Sequence, residues 1–176
     1  RVEYFFHSND DGREMIYIRE RDTEDVFSID TDNLGKLEKT KMTYTNENGK
    51  TKSMRIESSA SFLYNGKLKN YKDIKKDNLD TLSGTVTLID NDENGIADVV
   101  SIVSYTHIIV KGIDKEKMIV TGEKAGQEYN FEPDNNARVV EIYSGDRVAE
   151  FTDIKADIVL SVAQSDPGNG RVLIRA

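Results

Sequence analysis

The chain has no cysteine and no tryptophan, and of its 176 residues only two are proline and two histidine. Without cysteine there is no disulfide framework, no thiolate metal site and no cysteine nucleophile. Without tryptophan, the aromatic lining common in glycosidase clefts is missing, which weighs against a paired-carboxylate sugar hydrolase. His7 and His107 fall in no H-x-H or H-E-x-x-H pattern, and His107 sits inside the apolar run "SYTHIIV". Both read as ordinary strand residues. The sequence has no G-x-S-x-G, no G-x-x-x-x-G-K-[ST] and no G-x-G-x-x-G, and "PGNGR" (167–171) is a turn between strands. No catalytic residue is assigned, and the chain is read as not an enzyme. No apolar run approaches the ~20 residues of a membrane helix, so no membrane insertion is expected. The chain opens Arg-Val-Glu-Tyr, with neither an initiator methionine nor a signal-peptide pattern, and is read as a piece of something longer. The formal net charge is -8. Phosphate-backbone binding rests on excess Lys and Arg, so no nucleic-acid partner is expected.

What is present is a period of two. Segments such as "EMIYIRER" (14–21), "KSMRIESSASFLYNG" (52–66), "GTVTLID" (84–90), "ADVVSIVSYTHIIVKGI" (97–113) and "DIVLSVAQ" (157–164) alternate or run in β-branched and aromatic residues. These are strand signatures. Between them lie Asn-Gly and Asp-Gly turns, including "NDDGR" (9–13), "NENGK" (46–50) and "YNGK" (64–67), which favour hairpins because both central residues take positive φ. Helical periodicity is confined to "YKDIKKDNLDTL" (71–82), enough for one or two turns with Ile74, Leu79 and Leu82 inward. Five lysines fall in 67–78 with Tyr71 among them, but Asp73 and Asp77 interleave, and the segment reads as a solvated loop rather than a polyanion site.

An internal echo organises the chain. Tyr64-Asn65-Gly66 answers Tyr143-Ser144-Gly145, and Asp73-Ile74-Lys75 answers Asp153-Ile154-Lys155, with one residue of slippage between the blocks. The expected architecture is all-β and hairpin-rich with little helix, built as two small barrel- or sandwich-like modules related by a pseudo-repeat. Residues 61–113 form the first module and 114–176 the second. The β-rich segment 1–60 completes the first or belongs to a preceding one.

The candidate metal site lies in "LIDNDENGIADVVSIV" (88–103). Its spacing is D-x-D-x-N-G-x-x-D, with Asp90, Asp92 and Asn94 at alternate positions, Gly95 at the sharp turn, the Ile96 carbonyl next and Asp98 closing the shell. Ca2+ is a hard cation that takes six to eight oxygens from such loops. Three carboxylates within nine residues repel each other unless a cation intervenes. The loop is shorter than an EF-hand, since Ser101 stands where the bidentate Glu belongs. Asp, Asn and Gly are also what a plain hairpin turn uses, and "SDPGNGR" in the second copy keeps the turn without most of the carboxylates.

The stretch "SGTVTLIDNDENGIADVVSIVSYTHIIV", followed by "YSGDRVAEFTDIKADIVLSVAQS", resembles repeated β modules of S-layer-type and other cell-surface proteins of Gram-positive bacteria, and of structural tail and virion proteins of their phages. The resemblance covers roughly residues 60–176, and Ala156 departs from the glycine common in those units. It implies a non-enzymatic structural or adhesive fragment of a larger assembly, extracellular or in a virion, whose partners are neighbouring domains or subunits. The rival readings are a carbohydrate or cell-wall-polymer binding module and, behind it, a hydrolase with a cryptic carboxylate site.

Overall fold

The computed structural model describes residues 2–9, 12–20, 26–74, 83–124, 126–132, 138–145, 147–166 and 169–175. The chain is about 60% strand, with two curled half-barrel sheets and a separate two-stranded hairpin. The hairpin joins β1 (Val2–Asn9) to β2 (Gly12–Glu20). The first sheet contains β3 (Val26–Asp30), β4 (Leu34–Leu37), β5 (Lys41–Thr45), β6 (Thr51–Tyr64), β7 (Lys67–Lys69), β8 (Gly84–Ile89) and β9 (Ala97–Ser104). Its order is β3-β8-β9-β6-β5-β4, with β7 folded back on β6. The second sheet contains β10 (Thr106–Asp114), β11 (Ile119–Gly122), β12 (Glu128–Asn130), β13 (Arg138–Ser144), β14 (Arg147–Val148), β15 (Val159–Asp166) and β16 (Asn169–Arg175). Its order is β12-β11-β10-β15-β16-β13-β14. Among the described residues helix is limited to three-residue 3-10 turns at Thr31–Asn33, Tyr71–Asp73 and Phe151–Asp153. Residues 75–82, which carry most of the expected helical turns, lie outside the described residues. No helix among those described is long and apolar enough to cross a membrane.

The two sheets repeat one plan. In the first, β3-β8-β9-β6 places β6 and β9 side by side and parallel; in the second, β10-β15-β16-β13 does the same with β13 and β16. Each unit also carries a hairpin arm, β7 or β14, followed by a 3-10 turn. The ladders correspond rung by rung. Phe62, Val100 and Leu88 share a row in the first sheet, and Ile142, Ile174 and Val162 share the matching row in the second. Val86 faces Ile29 across β8 and β3 as Leu160 faces Ile108 across β15 and β10. The structural match removes the slip in the sequence echo. The pairs that close the arms are Tyr64 with Lys67 and Ser144 with Arg147, so Tyr64 corresponds to Ser144 and not to Tyr143. At that one constant offset Tyr71 meets Phe151, Asp73 meets Asp153 and Ile74 meets Ile154. The Asp73 and Asp153 amides donate to the Asn70 and Glu150 carbonyls at 2.9 and 3.0 Å, so both turns close the same way.

Each sheet encloses its own core, one around Met42, Phe62, Val86, Leu88, Val100 and Ile102, the other around Ile108, Val110, Val120, Phe131, Phe151 and Leu160. Alternation explains how: on β8 the pattern reaches full burial at Val86 and Leu88, leaving their neighbours half-buried. Fully burying such a side chain stabilises by about 1.5–3 kcal/mol. The apolar run 97–113 reads as one strand in the sequence but divides at Tyr105, where the chain passes from β9 in the first sheet to β10 in the second.

Candidate metal centre

The connection from β8 to β9 carries the acidic residues. Asp90 follows the last residue of β8 and Asp98 is the second residue of β9, so the ladder between these strands brings both ends of the loop together. Asp90 organises the loop. Its Oδ1 accepts the amides of Glu93 at 2.8 Å and Asn94 at 3.3 Å, and its Oδ2 accepts that of Gly95 at 2.6 Å. Glu93 and Gly95 take positive φ of 63° and 78°, which turns successive amides inward, and at Gly95 no Cβ opposes that conformation. Asp98 Oδ2 accepts the Asn91 amide at 2.7 Å. Partial burial pushes the Asp90 carboxyl up, but the Gly95, Glu93 and Asn94 amides together outweigh it and hold the group below the usual carboxylate range.

The carboxylates of Asp90, Asp92 and Asp98 offer oxygens within 4.8 Å of one another, and among the described residues this is the only group of three such side chains. Two oxygens on opposite sides of a calcium ion at ~2.3–2.6 Å stand at most about 5 Å apart, so the spacing is compatible with one shared cation. Asn94 is engaged within the loop: its Oδ1 accepts the Ile96 amide at 2.8 Å and its Nδ2 donates to Asp92 Oδ2 at 3.0 Å. The Asn94 backbone amide also donates to Asp92 Oδ1 at 3.3 Å, so Asn94 engages both oxygens of that carboxylate. Carbonyls and water would have to complete a shell of six or more oxygens.

The other sequence candidates take structural places. His107 is exposed on β10, with Nδ1 3.0 Å from the Ser161 hydroxyl of its cross-strand partner. His7 lies in β1. Tyr71, the aromatic of the lysine-rich segment, turns inward. Its hydroxyl donates to the Leu37 carbonyl at 3.1 Å, and its ring lies 5.3 Å from that of Phe62.

One polar residue escaped the sequence reading. Asn65, in the β6–β7 turn, is only 6% exposed. Its Oδ1 accepts the Ser104 amide at 2.8 Å, and its Nδ2 donates to the Ser104 carbonyl at 3.3 Å and to the Gln164 carbonyl at 2.9 Å. Ser104 ends β9 and Gln164 lies in β15, so this amide ties one sheet to the other at the edge of a cavity of about 230 Å3. The signal available in the sequence was Asn-Gly, and it points only to the turn. No family model matches this chain, and no curated protein and no solved structure is significantly similar to it.

Proposed function

We propose that the chain is a non-enzymatic structural and adhesive β-repeat fragment of a larger bacterial cell-surface or phage virion protein. Its partners are neighbouring domains or subunits of that assembly. The observation that supports this most directly is the repetition of one strand order in two sheets, joined through the buried Asn65 amide. Units of one plan coupled in series suit an extended, stiff body. In this reading Ca2+ bound by Asp90, Asp92 and Asp98 fastens the β8–β9 loop and replaces carboxylate repulsion with attraction.

Calorimetric titration with calcium, together with thermal melts in calcium and in EGTA, tests the cation. The expected result is one equivalent bound with a Kd in the ~10⁻⁴–10⁻³ M range of extracellular modules. Calcium at ten times the Kd should then raise the folding constant about tenfold. Asp92→Ala should abolish both effects. No heat and identical melts would leave residues 90–98 a plain hairpin connection. The adhesive assignment is tested separately. Capture of the isolated chain by intact virions or by the protein layer of the wall supports it, whereas retention on purified wall polymer alone would replace it with a polymer-binding module.

A further inference from the structure

Sheet edges invite pairing with foreign strands, and proteins blunt them with short strands, lysine, proline or bulges. Four edges of the two large sheets carry such protection. β4 breaks register between Leu34 and Lys36 and presents Lys36. β7 bears a lysine at each end. β12 has three residues and β14 has two. β3 carries none of these devices. It is five residues long, contains neither lysine nor proline, and pairs with β8 in unbroken register from Val26 with Ile89 to Asp30 with Thr85. Among the described residues β8 is its only ladder partner. Alternate residues of such a strand turn both N–H and C=O away from the partner.

Those groups face a groove of about 470 Å3. One wall is formed by residues 27–30 of β3, the other by residues 44–48 at the end of β5 and its turn. Consecutive strand residues point to opposite faces, so a groove lined by four in a row runs along the backbone edge. Phe27 and Tyr44 meet across it, ring centroids 4.8 Å apart. Among the described residues its charged lining groups are Asp30 and Glu47, with no Lys or Arg.

The geometry points to the β3 edge as an acceptor for an extended, basic peptide segment of a partner protein. The segment adds to the first sheet as a further outer strand, sets an apolar side chain against Phe27 and Tyr44, and pairs its cations with Asp30 and Glu47. This mode draws affinity from main-chain hydrogen bonds and specificity from alternate side chains. It depends neither on calcium nor on a surface or virion location.

The test is an amide-resolved NMR titration of the full chain with the peptide Lys-Val-Thr-Val-Lys-Val-Thr-Val-Lys. Shifts and slowed hydrogen exchange should concentrate at residues 26–30 and 44–48. N-methylation of alternate peptide residues, which removes one row of donors, should abolish them. The double variant Asp30→Lys, Glu47→Lys, with both changes at exposed positions, should weaken binding about tenfold or more. Absence of shifts on β3 at millimolar peptide would overturn the inference. So would shifts indifferent to N-methylation, or the same amides responding to a chitin oligosaccharide and not to the peptide.

Discussion

The Asn65 amide offers the sharpest perturbation. Its backbone sits at φ +47°, before Gly66 at φ +83°, so Asn65→Gly preserves the turn and removes only the side chain. The Ser104 amide then loses an acceptor at 2.8 Å, and Ser104 is 5% exposed. Stripping a buried donor costs about 1–3 kcal/mol. The 2.9 Å bond to the Gln164 carbonyl adds roughly 0.5–1.5 kcal/mol, and the longer contact to the Ser104 carbonyl little. The expected loss is about 1.5–4.5 kcal/mol by those values, a large share of a typical stability of about 5–15 kcal/mol. Urea unfolding followed by far-UV circular dichroism measures it. Because the bond joins two sheets with separate cores, the variant should also lose cooperativity. The chain has no cysteine, so spin labels at Lys52→Cys and Glu128→Cys, one in each sheet, report the joint alone, and their distance distribution should broaden. Asn65→Asp should be worse at neutral pH, because it turns a carboxylate oxygen toward two carbonyls. Burial and those carbonyls raise its folded pKa, so the deficit relative to wild type shrinks as pH falls through that pKa. A loss under about 0.5 kcal/mol with an unchanged distance distribution would refute the assignment of Asn65 as the tie.

Three further outcomes follow from local geometry. A Cβ on Gly84 would collide with the Val103 carbonyl of the paired strand, so Gly84→Ala should lower the urea stability by about 1–3 kcal/mol; an unchanged midpoint would show that β8 yields freely. Asp90 is held below its ordinary value of 3.8. Its ionised form therefore contributes stability that is complete above that value and lost as pH falls through the lower folded pKa. Asp90→Asn in EGTA should be less stable than wild type at neutral pH, with the gap closing in acid; a gap independent of pH would contradict the amide cage. Tyr71→Phe removes the donor to the Leu37 carbonyl while keeping the ring against Phe62, and should cost about 0.5–1.5 kcal/mol in the same unfolding assay.

The all-β character was legible because one face of each strand is buried and side chains alternate. On β9 full burial recurs at Ala97, Val100, Ile102 and Ser104. The Asn65-Gly66 turn was legible because positive φ at two successive residues selects those residue types. The acidic triad was legible from its spacing, since the loop folds its own amides onto Asp90. The division at Tyr105 was not, because β-branched and aromatic residues continue across it and no Gly, Pro, Asn or Asp marks a turn there. The sheet change coincides with the capture of both backbone groups of Ser104 by the Asn65 amide, a contact between residues far apart in the chain. The repeat was seen one residue out of phase in its first block, because matching letters aligned Tyr64 with Tyr143, whereas the ladders align the closing pairs of the arms.

The strand order has a mechanical consequence. In each unit the chain enters on one side of a central strand and leaves on the other: β3 and β9 flank β8, and β10 and β16 flank β15. Both flanking strands run antiparallel to the centre, so they point the same way. Tension on the start of the first and the end of the last therefore slides them past the centre in shear. All rungs bear the force at once, and the ladder does not unzip from one end. Extension rates under load follow the barrier to that sliding and not the equilibrium stability. The first unit opposes it with five pairs between β3 and β8, and the second with four between β10 and β15 prolonged by the bonds of Val110 to Ile158 and Asp157, so the two joints are matched in length.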